Sequence, residues 1–133
     1  VPFLGWYMQL SGMIFIDRSN KEKAISSMRH AGKMINNGKN IITFPEGTRS
    51  KSGKIGLFKR GSFIIALEGE IPIVPIAIKG SEKINPNRSF LLNKGVIQIS
   101  VGKAINVEEV NHIPDELAKK TQQKVIELYQ NLE

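Results

Sequence analysis

Apolar and polar positions repeat along this chain with two different periods, and the switches between them mark out its elements. Ser19 followed three residues later by Glu22 spells a capping box. Ile25, Met28, Ala31 and Ile35 then recur at spacings of three and four, which places them on one face of a helix that Asn36-Asn37-Gly38 closes. The flanks read as strands, "MIFID" (Met13 to Asp17) before the helix and "NIITF" (Asn40 to Phe44) after it. Strand, helix, strand is a βαβ unit, so the two strands are expected to be parallel with a right-handed crossover. In a second unit, "GSFIIALEG" (Gly61 to Gly69) is a short apolar helix between "IITF" and "IPIVPIAIK" (Ile71 to Lys79). Pro72 and Pro75 demote that last run to an edge strand, a bulged strand, or a strand beginning only at Val74. "SEKINPNRSFLLNKG" (Ser81 to Gly95) reads as a connection, and "VIQISVG" (Val96 to Gly102) as a strand alternating in and out. Pro114 to Leu132 is a final amphipathic helix with Leu117, Thr121, Val125, Leu128 and Leu132 as its stripe. Near the start, Pro2 to about Leu10 suits a short helix stopped at Gly12. The expected fold class is α/β, a mixed, largely parallel central sheet flanked by helices, in a single domain over residues 1–133.

Size and composition agree with that reading: 133 residues, 41% hydrophobic, suffice for one domain with a real core. Nineteen Lys and Arg against twelve Asp and Glu leave a net charge of +7, which favours an anionic partner: nucleic acid, a lipid headgroup surface or a phosphorylated substrate. The absence of cysteine excludes disulfides, a thiolate nucleophile and Cys-ligated metal. The opening run "VPFLGWYMQLSGMIFI" is apolar but shorter than the about 20 residues of a spanning helix, and Gln9 and Ser11 interrupt it. It has neither the basic region nor the cleavage site of a signal peptide. A chain that starts inside an apolar run reads as part of a longer polypeptide. Phe3, Trp6, Tyr7 and Met8 in that run are read as core.

Parallel strands place their carboxyl ends on one sheet edge, where open α/β proteins hold ligands. "MIFID" would deliver Asp17 and Arg18 there, and "IITF" would deliver Pro45, Glu46, Gly47, Thr48 and Arg49. Between Thr48 and Arg60 the chain carries Arg49, Lys51, Lys54, Lys59 and Arg60 with no acid among them, and glycines at 47, 53, 56 and 61 allow tight turns. Arginine suits a phosphate through paired N–H bonds, lysine adds point charge, and backbone N–H groups opening the helix near Gly61 add donors. A solvated basic loop is the plainer reading of such a run, and convergence with Arg18 favours the anion crevice. Glu46 is fit to orient an arginine, to hydrogen-bond a hydroxyl, to act as a base, or to form an ion pair with Arg18 or Arg49. Positioning is favoured, because a carboxylate beside guanidinium is a weak base. Thr48 lacks an identifiable base and reads as a capping hydroxyl. His30 and His112, the only imidazoles, read as structural or solvent-facing. No H-E-x-x-H, dinucleotide fingerprint or Walker sequence occurs.

These residues resemble the glycerolipid acyltransferases of the PlsC-like, 1-acyl-sn-glycerol-3-phosphate acyltransferase type. "GMIFIDR" (Gly12 to Arg18), "FPEGTRS" (Phe44 to Ser50) and "IPIVPIAI" (Ile71 to Ile78) are similar to the family's second, third and fourth blocks in order, and "FKRG" (Phe58 to Gly61) to a feature between the last two. The seven residues of "FPEGTRS" are the most specific. The resemblance implies a glycerolipid acyltransferase-like fold and transfer of a fatty acyl group from acyl-CoA or acyl-carrier protein to lysophosphatidate, giving phosphatidate, with no further cofactor and no metal. It implies that Arg18 binds the acceptor phosphate, that Glu46, Gly47, Thr48 and Arg49 form the acceptor loop, that Lys59 adds to the phosphate grip, and that Pro72, Val74 and Pro75 line the acyl or acceptor pocket. It also implies a membrane-associated protein at the cytoplasmic face.

The family's first block, H-x-x-x-x-D, supplies the general base and its orienting acid, and the chain lacks it: Ile35 and Leu117 stand where His30 and His112 would need an Asp. The catalytic His and Asp are therefore expected upstream of Val1. A His base contributes about 10²- to 10⁴-fold, so the chain alone is expected to bind weakly without turnover. The alternative is a non-catalytic module binding a phospholipid headgroup or phosphate. Nucleic-acid binding is disfavoured, because "TRSKSGKIGLFKR" interleaves only Phe58 with its basic residues.

Overall fold

The computed structural model describes residues 21–50, 53–86 and 91–132, which belong to two compact units, Val1–Ile42 and Thr43–Glu133. In the first unit, helix α1 runs Lys21–Asn36. Ala31 is buried, Met34 and Ile35 are half-buried, and His30 and Lys33 face solvent, as the spacing predicts. The helix ends at Gly38, which takes φ +78°, a conformation that costs a glycine little. The Gly38 N–H donates to Ile35 O (2.8 Å) and the Lys39 N–H to Met34 O (3.1 Å), a Schellman closure. The capping box at Ser19, the strand expected at Met13 to Asp17 and the short helix from Pro2 lie outside the described residues.

The second unit contains helix α2 (Gly61–Glu68), strand β1 (Ile76–Lys79), a single helical turn α3 (Ser81–Ile84), strand β2 (Gln98–Val101), a 3-10 turn (Val107–Glu109) and helix α4 (Pro114–Gln130). Pro114 in the first turn, with Asp115 and Glu116, starts α4 as its sequence predicts. Leu117, Ala118, Thr121 and Val125 form its buried stripe, and Leu128 and Leu132 are half-buried. Phe63, Ala66 and Leu67 of α2 meet Leu117 and Ala118 of α4 around Ile105, Val107 and Val110, which makes one core. Leu117 retains no exposed surface. Burying such a side chain stabilises the fold by about 1.5–3 kcal/mol.

β1 and β2 pair antiparallel, with Ile76 opposite Val101 and Lys79 opposite Gln98, and an isolated bridge joins Ile73 to Ile105. Pro75 is tolerated beside this ladder because its position asks it only to accept: the Gly102 N–H donates to Pro75 O at 2.9 Å. Pro75 and Ala77 are buried on the face packed against α4, while Val74, Ile76, Ile78, Ile99 and Val101 are 41–62% exposed on the other.

Two expectations about the sheet are not met within the described residues. The largely parallel sheet is not what the described residues show, since their one strand pair is antiparallel. A parallel pair needs a crossover that carries the chain back to its starting edge, and the connection from β1 to β2 contains only the single turn α3. "IITF" pairs with no described segment: Ile42, Thr43 and Phe44 are exposed, the strand expected beside it at Met13 to Asp17 lies outside the described residues, and the chain turns at Phe44. The connection from Ser81 conversely holds a helical turn where an irregular segment was expected. Gly80 at φ +94° starts it, and its N–H donates to the Glu82 carboxylate at 3.1 Å.

Candidate functional site

The described residues between Phe44 and Arg60, 44–50 and 53–60, form a loop whose two sides are bonded to each other. Phe44-Pro45-Glu46-Gly47 forms a turn in which the Gly47 N–H donates to Phe44 O at 3.0 Å, with proline at the second position and glycine at the fourth. The returning chain lies against this turn. The Lys59 N–H donates to Pro45 O at 2.9 Å, and the Gly56 N–H donates to Glu46 Oε2 at 2.7 Å. Within the loop, the Ser50 hydroxyl donates to Lys54 O at 2.8 Å.

Two outside elements hold it. Gln122 of α4 donates from Nε2 to Gly56 O at 2.7 Å, and the Tyr129 hydroxyl lies 3.5 Å from Gly53 O. Phe58 stacks on Phe63 of α2, centroids 6.2 Å apart, and packs against the core. Both backbone polar groups of Gly56 are thus bonded, its N–H to Glu46 and its carbonyl to Gln122. Sequence reading had no means to find Gln122 or Tyr129, which come from 66 and 76 residues beyond their partners.

The loop displays Thr48, Arg49, Lys54, Lys59 and Arg60 to solvent. The ion pairs among the described residues are Lys120 with Glu109 and Lys124 with Glu127, both at 2.6 Å, so none of the four loop cations has an ion-pair partner among the described residues. Glu46 does not pair with Arg49. Its carboxylate instead accepts the backbone N–H of Gly56 and ties the two sides of the loop together. Arg18 lies outside the described residues, so its convergence with the loop is not described. The proline block divides across the strand: Pro72 and Val74 are exposed, whereas Pro75 is buried against Gly102. Pro75 thus packs into the core while Pro72 and Val74 face outward, because alternate residues of an extended chain point to opposite faces.

His30 and His112 are exposed, and His112 takes φ +53° just before α4. No cluster among the described residues is suited to a metal ion, and no described helix is long and apolar enough to cross a membrane. Elsewhere on α4 a groove of about 300 Å³ is lined by Lys103, Glu109, Lys120, Gln123, Lys124 and Glu127. Charge there is mixed: the Lys120 ammonium bonded to Glu109, together with the Asn106 N–H, holds that carboxyl below its ordinary 4.5.

Residues 1–79, more than half of the chain, match the sequence profile of the acyltransferase family. The chain belongs to this PlsC-like acyltransferase family. It is 33% identical over 131 residues to a 1-acyl-sn-glycerol-3-phosphate acyltransferase of Saccharomyces cerevisiae, covering 96% of the chain and 43% of that protein. It is 33% identical over 121 residues to the chloroplastic 1-acyl-sn-glycerol-3-phosphate acyltransferase BAT2 of Brassica napus, covering 90% of the chain and 35% of that protein. The crystal structure of the 1-acyl-sn-glycerophosphate (LPA) acyltransferase PlsC from Thermotoga maritima superimposes with a TM-score of 0.83 at 26% identity, over 99% of the chain and 52% of that protein. The chain thus spans about half or less of the length of these relatives. The family match includes the loop and β1. Gln122 and Tyr129, which anchor the loop, lie beyond it.

Proposed function

We propose that this acyltransferase-family chain forms the acceptor-binding part of an enzyme that transfers a fatty acyl group from acyl-CoA or acyl-carrier protein to lysophosphatidate. The observation that carries the reading is the loop between Phe44 and Arg60, which holds Arg49 and Lys59 exposed and without an ion-pair partner among the described residues, on a backbone tied down by Glu46 and Gln122. Arg49, with Arg18 and Lys59, grips the acceptor phosphate. Gly47 lets the backbone approach, and Thr48 adds a hydroxyl. Val74 contributes an apolar wall beside the acyl chain. In the reaction the acceptor hydroxyl oxygen attacks the thioester carbonyl, its proton passes to a general base, and the carbon–sulfur bond breaks to release the thiol. The donor is itself a substrate, so no cofactor or metal is called for. The substrates place the protein at a membrane surface, on the cytoplasmic face.

The base is the part this sequence does not contain, because neither histidine is followed by an acid at the H-x-x-x-x-D position. That fact also favours a second reading, in which the chain by itself is a module that binds a phosphorylated headgroup without chemistry. Calorimetry of the purified chain with short-chain lysophosphatidate tests the grip. Arg49→Ala is expected to weaken binding about 10- to 100-fold, the worth of a charged hydrogen-bonded contact. Absence of binding, or equal binding by the variant, would refute the assignment of the loop. With acyl-CoA added, no free CoA is expected, and release at an ordinary enzymatic rate would show that the chain carries its own base.

A further inference from the structure

The loop makes two kinds of contact, and they fix different things. The Gly56 N–H bonded to Glu46 and the Lys59 N–H bonded to Pro45 O join its two sides to each other, which sets its shape. Its placement on the second unit comes from three other contacts: Phe58 stacked on Phe63, Gln122 Nε2 donating to Gly56 O at 2.7 Å, and the Tyr129 hydroxyl 3.5 Å from Gly53 O. A single ring contact at one end of a loop leaves its rotation open, so the two contacts from α4 are what remove that freedom. Gln122 and Tyr129 stand seven residues apart, two turns of α4, which puts them on one face with about 10.5 Å of rise between them. Their acceptors stand three residues apart, a length that spans at most about 10–11 Å. The two spacings match, so the returning arm from Gly53 to Gly56 lies along the helix and runs opposite to it: the earlier helix residue meets the later loop residue. Glycine suits position 56, where a Cβ would lie 3.1 Å from Glu46 Oε2. The far end of this helix face is itself held. Lys79, the last residue of β1, donates from Nζ to Leu132 O just past α4, and its ammonium lies 5.6 Å from the centroid of the Tyr129 ring.

We infer that Gln122, with Tyr129 beside it, is a positioning residue of the acceptor site: it holds the returning arm of the loop on α4 and so sets where Arg49 and Lys59 are presented. The site then reaches beyond residues 1–79, the stretch that matches the family, into a helix near the end of the chain. Glu46 and Gln122 divide the task, one governing the loop's shape and the other its placement, and Gly56 is the residue that both hold. The inference deepens the acceptor-binding reading and rests on it for the effect on binding, while the placement of the loop rests on this chain's own bonds.

The chain contains no cysteine, so Lys119→Cys, exposed on α4, gives a single site for a nitroxide label. Broadening of the Gly53, Lys54 and Gly56 amide signals by that label reports how near the arm lies to the helix. Gln122→Met keeps the length and neutrality of the side chain and removes its donor, and Gln122→Lys restores a donor. Broadening is expected to weaken in Gln122→Met and to recover in Gln122→Lys. The urea midpoint is expected to stay in place in both, because Gln122 lies outside the hydrophobic core. In unlabelled chains, calorimetry with short-chain lysophosphatidate is expected to show affinity weakened about twofold or more in Gln122→Met, with about tenfold as the ceiling that one hydrogen bond sets. Undiminished broadening in Gln122→Met, failure of Gln122→Lys to restore it, or full affinity with the broadening lost would overturn the inference. If the unaltered chain binds no lysophosphatidate, the acceptor reading falls, and the broadening still decides whether Gln122 places the loop.

Discussion

Glu46 offers the sharpest test of how the loop works, because its two possible roles respond oppositely to a conservative change. If the carboxylate holds the loop by accepting the Gly56 N–H at 2.7 Å, Glu46→Gln keeps a carbonyl acceptor at the same reach and Glu46→Ala removes it. If instead it handled a substrate proton, Gln and Ala would fail alike. Removing a charged acceptor from a backbone N–H costs about 1.5–3 kcal/mol, and exposure of this bond discounts that to about 1–2 kcal/mol. The closed-to-open ratio of the loop then falls about 5- to 30-fold. With the loop closed by about tenfold at the start, the larger loss leaves about a quarter of molecules competent and weakens acceptor binding about fourfold. Amide exchange at Gly56 reads the bond directly, and calorimetry with lysophosphatidate reads the consequence. Exchange should speed up strongly in Glu46→Ala and only slightly in Glu46→Gln, with binding in the same order. Unchanged Gly56 exchange in Glu46→Ala, or equal damage from both changes, would refute the positioning role.

Gly80→Ala should destabilise the second unit by at least about 3 kcal/mol in urea unfolding, because φ there is +94° and a Cβ would lie 2.2 Å from Val96 O. Thr121→Val should leave stability unchanged or raise it by up to about 1 kcal/mol, because the buried Thr121 hydroxyl has no hydrogen-bond partner; a clear fall in Tm would count against that. The Glu109 carboxyl is held below 4.5 by the bond from Lys120, then by the Asn106 N–H, then by the charge of Lys120. A lowered carboxyl contributes stability that is complete above pH 4.5 and drains away as pH falls through the lowered value. In Lys120→Met the NMR titration midpoint of Glu109 should therefore rise toward 4.5, and an unmoved midpoint would reject the assigned cause.

The elements legible in the sequence were those whose causes are local. The end of α1 was readable because Gly38 is the residue that a left-handed closure favours, and the start of α4 because Pro114 suits a first helical turn and no later one. The stripe Leu117, Thr121, Val125 was readable because burial follows the helical repeat. Strand direction was not, since parallel and antiparallel pairing differ only in how the chain returns, and the return from β1 passes through a turn that looked irregular. Even there a trace existed, in a glycine followed by Ser81 and Glu82, but a single turn has too few residues to show a period.

The site divides along the same line. Its cations were legible because they are contiguous and their chemistry resides in their own side chains, whereas the loop's shape depends on partners that are backbone groups. Glu46 was expected to find an arginine because charged partners are visible as letters; its actual partner is the N–H of Gly56, ten residues on, a group that every residue but proline offers equally. Gln122 reaches the carbonyl of that same glycine from 66 residues away, through a helix packed in place by Leu117 and Ala118. The loop's geometry is therefore a consequence of the core. A change at α4 that moves Gln122 should disturb the loop between Phe44 and Arg60 although α4 lies outside the stretch matching the family.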